Sequence, residues 1–103
     1  MKAIVVFCTI PPGDAEEMAR ALVENRLAAC VNVIPEVRSF YWWEGRLCDD
    51  PESLLVVKTT EARFQDLVSF VKANHPYTVP EIIALPVSEG NPDYLRWVEE
   101  STR

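Results

Sequence analysis

Residues 28–45 read AACVNVIPEVRSFYWWEG, an extended stretch rich in β-branched and aromatic residues and interrupted by Pro35. Proline cannot donate to a sheet ladder, so position 35 predicts a bulge, a bend or a sheet edge. Beyond it, period-two alternation puts Ser39, Tyr41 and Trp43 on one strand face and Phe40 and Trp42 on the other. Gly45 opens a polar turn, and ESLLVVKTT (52–60) begins the returning strand. The pair forms a long β-hairpin that overshoots the body of the domain.

Working outward, AIVVFCTI (3–10) is a strand by its β-branched content and brevity. PPGD (11–14) punctuates the chain, and Asp14 with Glu17 supplies a D-x-x-E helix start. Ala15, Met18, Ala19 and Leu22 then fall on one apolar stripe, in a helix that runs to about Arg26. Downstream, Thr59 or Thr60 caps a second helix whose stripe is Phe64, Leu67, Val68 and Val71, and Pro76 ends it. PEIIALPVS (80–88) is the fourth strand, and NPDYLRW (91–97) opens a last helix with Asn91 as cap and Pro92 in its first turn. The order β-α-β-β-α-β plus a terminal helix makes residues 1–103 a single α+β domain of the split βαβ, or ferredoxin-like, kind. IVVF and LLVV are apolar at consecutive positions, which implies that both sheet faces are buried. Two helices cover only one face, so a second copy of the chain is expected to cover the other.

Composition narrows the function. The 103 residues carry sixteen acidic and ten basic side chains, a net charge of -6, and no run of Lys or Arg. A phosphate-binding face cannot be built from that, which excludes nucleic acid as a partner. No apolar stretch approaches the roughly 20 residues that span a bilayer. MKAIVVFCTI meets PPGDAEE where a cleavage site would stand, so it reads as a first strand, and the chain as soluble and cytoplasmic. Three cysteines without a close pair argue against a disulfide framework or a C-x-x-C metal knuckle. Cys8 and Cys30 sit in apolar runs as small buried hydrophobes, whereas Cys48 lies in polar surroundings.

Catalytic machinery is missing from the pattern. There is no nucleophile elbow, P-loop or metal-binding helix motif, and three glycines cannot make a phosphate cradle. A small enzyme such as an acylphosphatase can share this fold, but it is disfavoured because TIPPGD (9–14) has two prolines lacking N–H and no arginine. The chain is therefore expected not to be an enzyme. Metal-ligand types are present in His75, Glu81, Asp49, Asp50, Glu52 and Cys48, yet one histidine cannot close a tetrahedral zinc site within a subunit. His75 reads in two ways: as a group bonding the terminal carbonyls of the second helix, or as part of a ligand or metal pocket. Tyr41, Trp43 and Tyr77 likewise read as interface anchors or as a pocket wall.

Five segments in order, RLAACVNV (26–33), SFYWWEG (39–45), ESLLVVKT (52–59), HPYTVPEI (75–82) and GNPDYLRW (90–97), resemble the CutA family of divalent-cation tolerance proteins. The resemblance covers nearly the whole chain. It implies a homotrimer of ferredoxin-like subunits with sheets packed inward, binding a divalent cation, copper foremost, or a small effector at inter-subunit clefts. No cofactor is obligatory. By the same resemblance, Cys30, His75 and Glu81 are the candidate metal contacts, and Tyr41, Trp43, Lys58, Tyr77, Tyr94 and Trp97 line the cleft. Thr78 departs from the family, many members of which have an acidic residue there, and this removes a carboxylate beside His75. The alternative is a regulatory or scaffold trimer of the PII kind, with metal binding incidental.

Overall fold

The chain alternates strand and helix so that two layers form around one core. A computed structural model describes residues 2–103. Its elements are β1 (Ala3–Ile10), α1 (Ala15–Glu24), β2 (Cys30–Trp43), β3 (Arg46–Thr60), α2 (Phe64–Asn74), β4 (Ile83–Pro86) and α3 (Pro92–Ser101). The strands make one antiparallel sheet in the order β2-β3-β1-β4, which leaves β2 and β4 as edges. On one face, Val6, Cys8 and Ile10 of β1 and Leu55 and Val57 of β3 pack with Leu22 of α1 and with Leu67 and Val71 of α2. Each such side chain, once buried, contributes about 1.5–3 kcal/mol.

The other face carries Val5 and Phe7 of β1, Leu54 and Val56 of β3, and Ile34 of β2. They alternate with the fully buried positions, and Phe7↔Val56 and Ile34↔Leu54 are register partners. They are at best half-buried, and Ile83 and Leu85 at the β4 edge are 52% and 47% exposed. Within one protomer this face therefore stays partly open, as expected from two helices that cover only the other face.

Three local expectations are corrected. The D-x-x-E box does not form: Asp14 already has helical backbone angles at the end of a 3-10 turn, and its side chain makes no cap bond. An N-cap side chain needs extended backbone to reach back. Thr59 and Thr60 do not cap α2 either, since a second 3-10 turn over Glu61–Arg63 intervenes. The Thr59 hydroxyl instead donates to the Leu27 carbonyl at 2.7 Å, which ties β3 to the segment after α1. The fourth strand shortens from 80–88 to four residues, because pairing with β1 stops at Phe7↔Ile83 and residues 75–82 fold over the sheet end. Helix α1 closes at Glu24, where Arg26 takes φ 56° and the Leu27 and Arg26 amides bond the Leu22 and Val23 carbonyls, a Schellman ending built without glycine. At α3 the reading holds: Asn91 Oδ1 accepts from the Asp93 amide at 3.0 Å, with Pro92 in the first turn.

Pro35 does introduce a bulge. Ile34 pairs with Leu54 but Val37 pairs with Glu52, so two residues of β2 oppose Ser53 alone. The Ser53 hydroxyl donates to the Pro35 carbonyl at 2.7 Å and holds the extra residue in place. Past the bulge, Ser39, Tyr41 and Trp43 of β2 share a face with Cys48, Asp50 and Glu52 of β3, while Arg38, Phe40 and Trp42 turn to the opposite face.

The hairpin closes on Glu44 (φ 50°) and Gly45 (φ 76°) between the Trp43↔Arg46 pair, a two-residue turn with both centres left-handed. Gly45→Ala should lower the unfolding free energy by about 1 kcal/mol or more, since alanine resists that φ. Urea unfolding checks this. Glu44→Asn, which favours the same turn, should act in the opposite direction.

Candidate functional site

The hairpin face bearing Tyr41 and Trp43 bends over the end of the sheet, and the α2–β4 loop closes against it. Between them lies a cleft of about 600 Å³. It is lined by Thr9 from the end of β1, Ser39, Tyr41 and Trp43 from β2, Glu52 from β3, and Pro76, Tyr77, Thr78, Val79 and Glu81 from the loop. Phe40 also borders it, but its ring lies on the outer hairpin face, 5.0 Å beneath the Arg38 guanidinium.

His75 anchors the loop. Its Nε2–H donates to the Thr9 carbonyl at 2.9 Å and its Nδ1 accepts from the Tyr77 amide at 3.1 Å, which assigns the neutral Nε2–H tautomer. The residue is 8% exposed, and its ring lies tilted on Tyr77 with centroids 4.7 Å apart. It does not bond the terminal carbonyls of α2. At φ -99° and ψ 139° the backbone is already extended, so the ring swings toward β1, and Asn74 Nδ2 bonds the Phe70 carbonyl in its place. Both imidazole nitrogens are engaged.

Glu52 forms the floor. It is 5% exposed, and its Oε2 accepts from the Tyr77 hydroxyl at 2.8 Å. Diagonally across the hairpin the Tyr41 hydroxyl donates to Asp50 Oδ2 at 2.5 Å. The charge here is all of one sign. The bond to Asp50 pushes the Tyr41 phenol up to about 12. Desolvation, then Glu52, raises Tyr77. Desolvation and the Glu52 charge also raise Glu81, against a bond from Thr9 that favours its ionised form. Beneath them burial pushes the Cys8 thiol up to about 12, with Glu81 and Glu52 adding to it.

The remaining predicted residues gather elsewhere. Cys30 pairs across the ladder with Lys58, whose ammonium donates to Asn32 Oδ1. Tyr94 and Trp97 of α3 lie with ring centroids 5.5 Å apart, and burial, then Cys30, raises the Tyr94 phenol. Lys58 and Glu52 are separated along β3 by roughly 20 Å of extended chain. One protomer thus brings Tyr41, Trp43, Tyr77 and Glu81 together with His75 behind them, and holds Cys30, Lys58, Tyr94 and Trp97 apart. Among the described residues no group of three or more His, Cys, Asp or Glu is placed to hold a metal ion. Glu52 was readable only as one of several ligand-type residues. Its signal is an acidic residue at an inward position of a strand that continues LLVV.

The sequence pattern described as "CutA1 divalent ion tolerance protein" matches residues 4–101. A Divalent-cation tolerance protein CutA of Thermus thermophilus is 54% identical over 95% of this chain and 96% of its own length. A chloroplastic Protein CutA 1 of rice is 48% identical over 98% of this chain, which spans 58% of that relative. A crystal structure of CutA1 from Oryza sativa superposes with a TM-score of 0.97 at 46% identity, covering 100% of this chain and 95% of that one.

Removing the hydroxyl that serves a buried carboxylate should be costly, so Tyr77→Phe is expected to destabilise by about 1–3 kcal/mol in denaturant unfolding. A carboxyl raised in the folded state binds more protons folded than unfolded, so its contribution weakens stability as pH rises through the window above its ordinary 4.5. Glu81→Gln should therefore raise stability near neutral pH, by no more than about 1 kcal/mol after solvent screening, and lose that advantage below the window. Thermal unfolding across pH reads both.

Proposed function

The chain belongs to the CutA1 divalent ion tolerance protein family, and on that premise we propose that it works as a homotrimer of ferredoxin-like subunits that binds divalent cations, copper foremost, at clefts shared between subunits. It acts by binding, not by catalysis, and in the cytoplasm, in keeping with its three free cysteines. No helix among the described residues is long and apolar enough to cross a membrane.

The observation that carries the reading is the half-covered apolar sheet face, with Val5, Phe7, Val56, Ile83 and Leu85 on it and ligand-type residues at its two ends. Contiguous apolar surface of this kind marks an interface. Packing such faces together brings the Cys30 end of one copy within reach of another copy's cleft, where Glu81 supplies a carboxylate. His75 joins a metal only by releasing Thr9 or Tyr77, so its first role is to hold the loop. That engagement favours the second reading, a PII-like trimer whose cleft takes a small effector or protein partner.

Light scattering should give a mass near three times the 11.7 kDa protomer, and Ile83→Glu, which places a charge on the open face, should lower it. In copper titrations against a competing chelator, Cys30→Ser and Glu81→Gln should each weaken binding about tenfold. His75→Ala should lower the melting temperature more than the affinity. Unchanged copper affinity in all three variants transfers the conclusion to the PII-like reading.

A further inference from the structure

Two charges on the open sheet face lack a counter-ion within one protomer. On β3, Glu52, Leu54, Val56 and Lys58 occupy alternate positions and so share that face. An acid stands at one end of the strip, a base at the other, and apolar side chains between them. Glu52 is 5% exposed, and among the described residues its donor is the neutral Tyr77 hydroxyl, at 2.8 Å. Lys58 is half-buried, and among the described residues its ammonium meets a neutral acceptor, Asn32 Oδ1, and forms no ion pair. Extended chain separates Glu52 from Lys58 by roughly 20 Å, so they cannot meet within one copy.

A buried charge is costly unless an opposite charge is brought to it. The arginines of the hairpin do not serve Glu52. Arg38 lies on the outer hairpin face, held by two bonds to Asp49 at 2.9 and 2.8 Å. Arg46 stands exposed at the hairpin tip, opposite Trp43. The need is doubled by Glu81, which lines the same cleft and whose carboxyl is raised by desolvation and then by the Glu52 charge. One cation placed here satisfies two acids.

We infer that Lys58 of a neighbouring copy enters this cleft as the counter-ion of Glu52 and Glu81, so that the cleft is complete only between copies. The inference rests on the trimer reading and adds to it the contact that sets how one copy sits on the next. The partner is a second copy because the strip is complementary to itself, acid end against base end, with Val5 and Phe7 beside Leu54 and Val56 as apolar surface to bury. Each copy gives one Lys58 and receives one, the head-to-tail contact by which a ring closes.

The test uses the purified full chain, with light scattering over a dilution series at one fixed urea concentration, and thermal unfolding to establish that each variant folds. The parent should be a trimer; a monomeric parent removes the trimer reading and this inference with it. Lys58→Met, and Glu52→Gln, which can still accept from Tyr77, should each raise the concentration at which the trimer dissociates by about tenfold or more, because each leaves the other charge buried and unpaired. Lys58→Arg, which keeps the charge, should stay within about threefold of the parent. The two charge-removing changes combined should cost less than the product of their separate effects. Residues this far apart in one chain act additively, so the shortfall reports a contact between copies. If Glu52→Gln does not fold, Lys58→Glu replaces it, and should weaken assembly more than Lys58→Met by setting a third carboxylate against Glu52 and Glu81. A trimeric parent overturns this inference alone, and leaves the trimer reading standing, if Lys58→Met assembles like the parent, if Lys58→Arg is as weak as Lys58→Met, if the combined effects simply multiply, or if Lys58→Glu is no worse than Lys58→Met.

Discussion

The two-against-one pairing at Pro35 and Glu36 against Ser53 governs how this molecule presents its chemistry. Side chains alternate with a period of two, so one extra residue in β2 reverses which side chains meet the inner face of β3. With the bulge, Ser39, Tyr41 and Trp43 share the face of Cys48, Asp50 and Glu52. Without it, Arg38, Phe40 and Trp42 would stand there, and Arg38 would neutralise the carboxylates. The 2.7 Å bond from Ser53 to the Pro35 carbonyl is the local clasp on that choice. Proline suits it because β2 is an edge strand, where a missing N–H leaves no central ladder bond unmade.

The second clasp is His75. By bridging the Thr9 carbonyl and the Tyr77 amide, it fixes residues 75–82 across the sheet end and aims the Tyr77 hydroxyl at Glu52. The outcome is a pocket whose ionisable groups disfavour one another: desolvation and a neighbouring carboxylate raise Glu81, and the same two charges add to the burial of Cys8. Groups perturbed in this way cluster at functional sites. The hairpin and the loop therefore hold a charge arrangement that the core alone would not select.

Assembly follows from the same sheet. One face is closed by α1 and α2 over Val6, Val57, Leu22 and Leu67; the other keeps Val5, Phe7 and Val56 only partly covered. A chain of 103 residues buries roughly two-thirds of its unfolded surface on its own, so apolar area left on a sheet face is a substantial reserve of stability. The separation of Cys30 and Lys58 from Glu52 and Glu81 along that face gives any ligand site that needs both ends an intermolecular character.

Much of this was legible in the residues. The strand and helix order followed from periodicity, the α3 cap from Asn91-Pro92, and the bulge from Pro35, because each depends on a few neighbours in sequence. The same reasoning failed at Asp14 and Thr60, where 3-10 turns pre-empted the caps, and at β4, where the loop took the first three residues of the expected strand. It also left His75 between two readings, since its partner Thr9 lies 66 positions away. Sequence by itself determined the elements, the family and the apolar content of both sheet faces, all properties of local pattern. Only the tertiary structure decided that Glu52 would be buried against the Tyr77 hydroxyl, that Arg38 would face away from it, and that Cys30 would stand far from Glu81. Those are matters of register and long-range contact, where one residue of slip changes every neighbour.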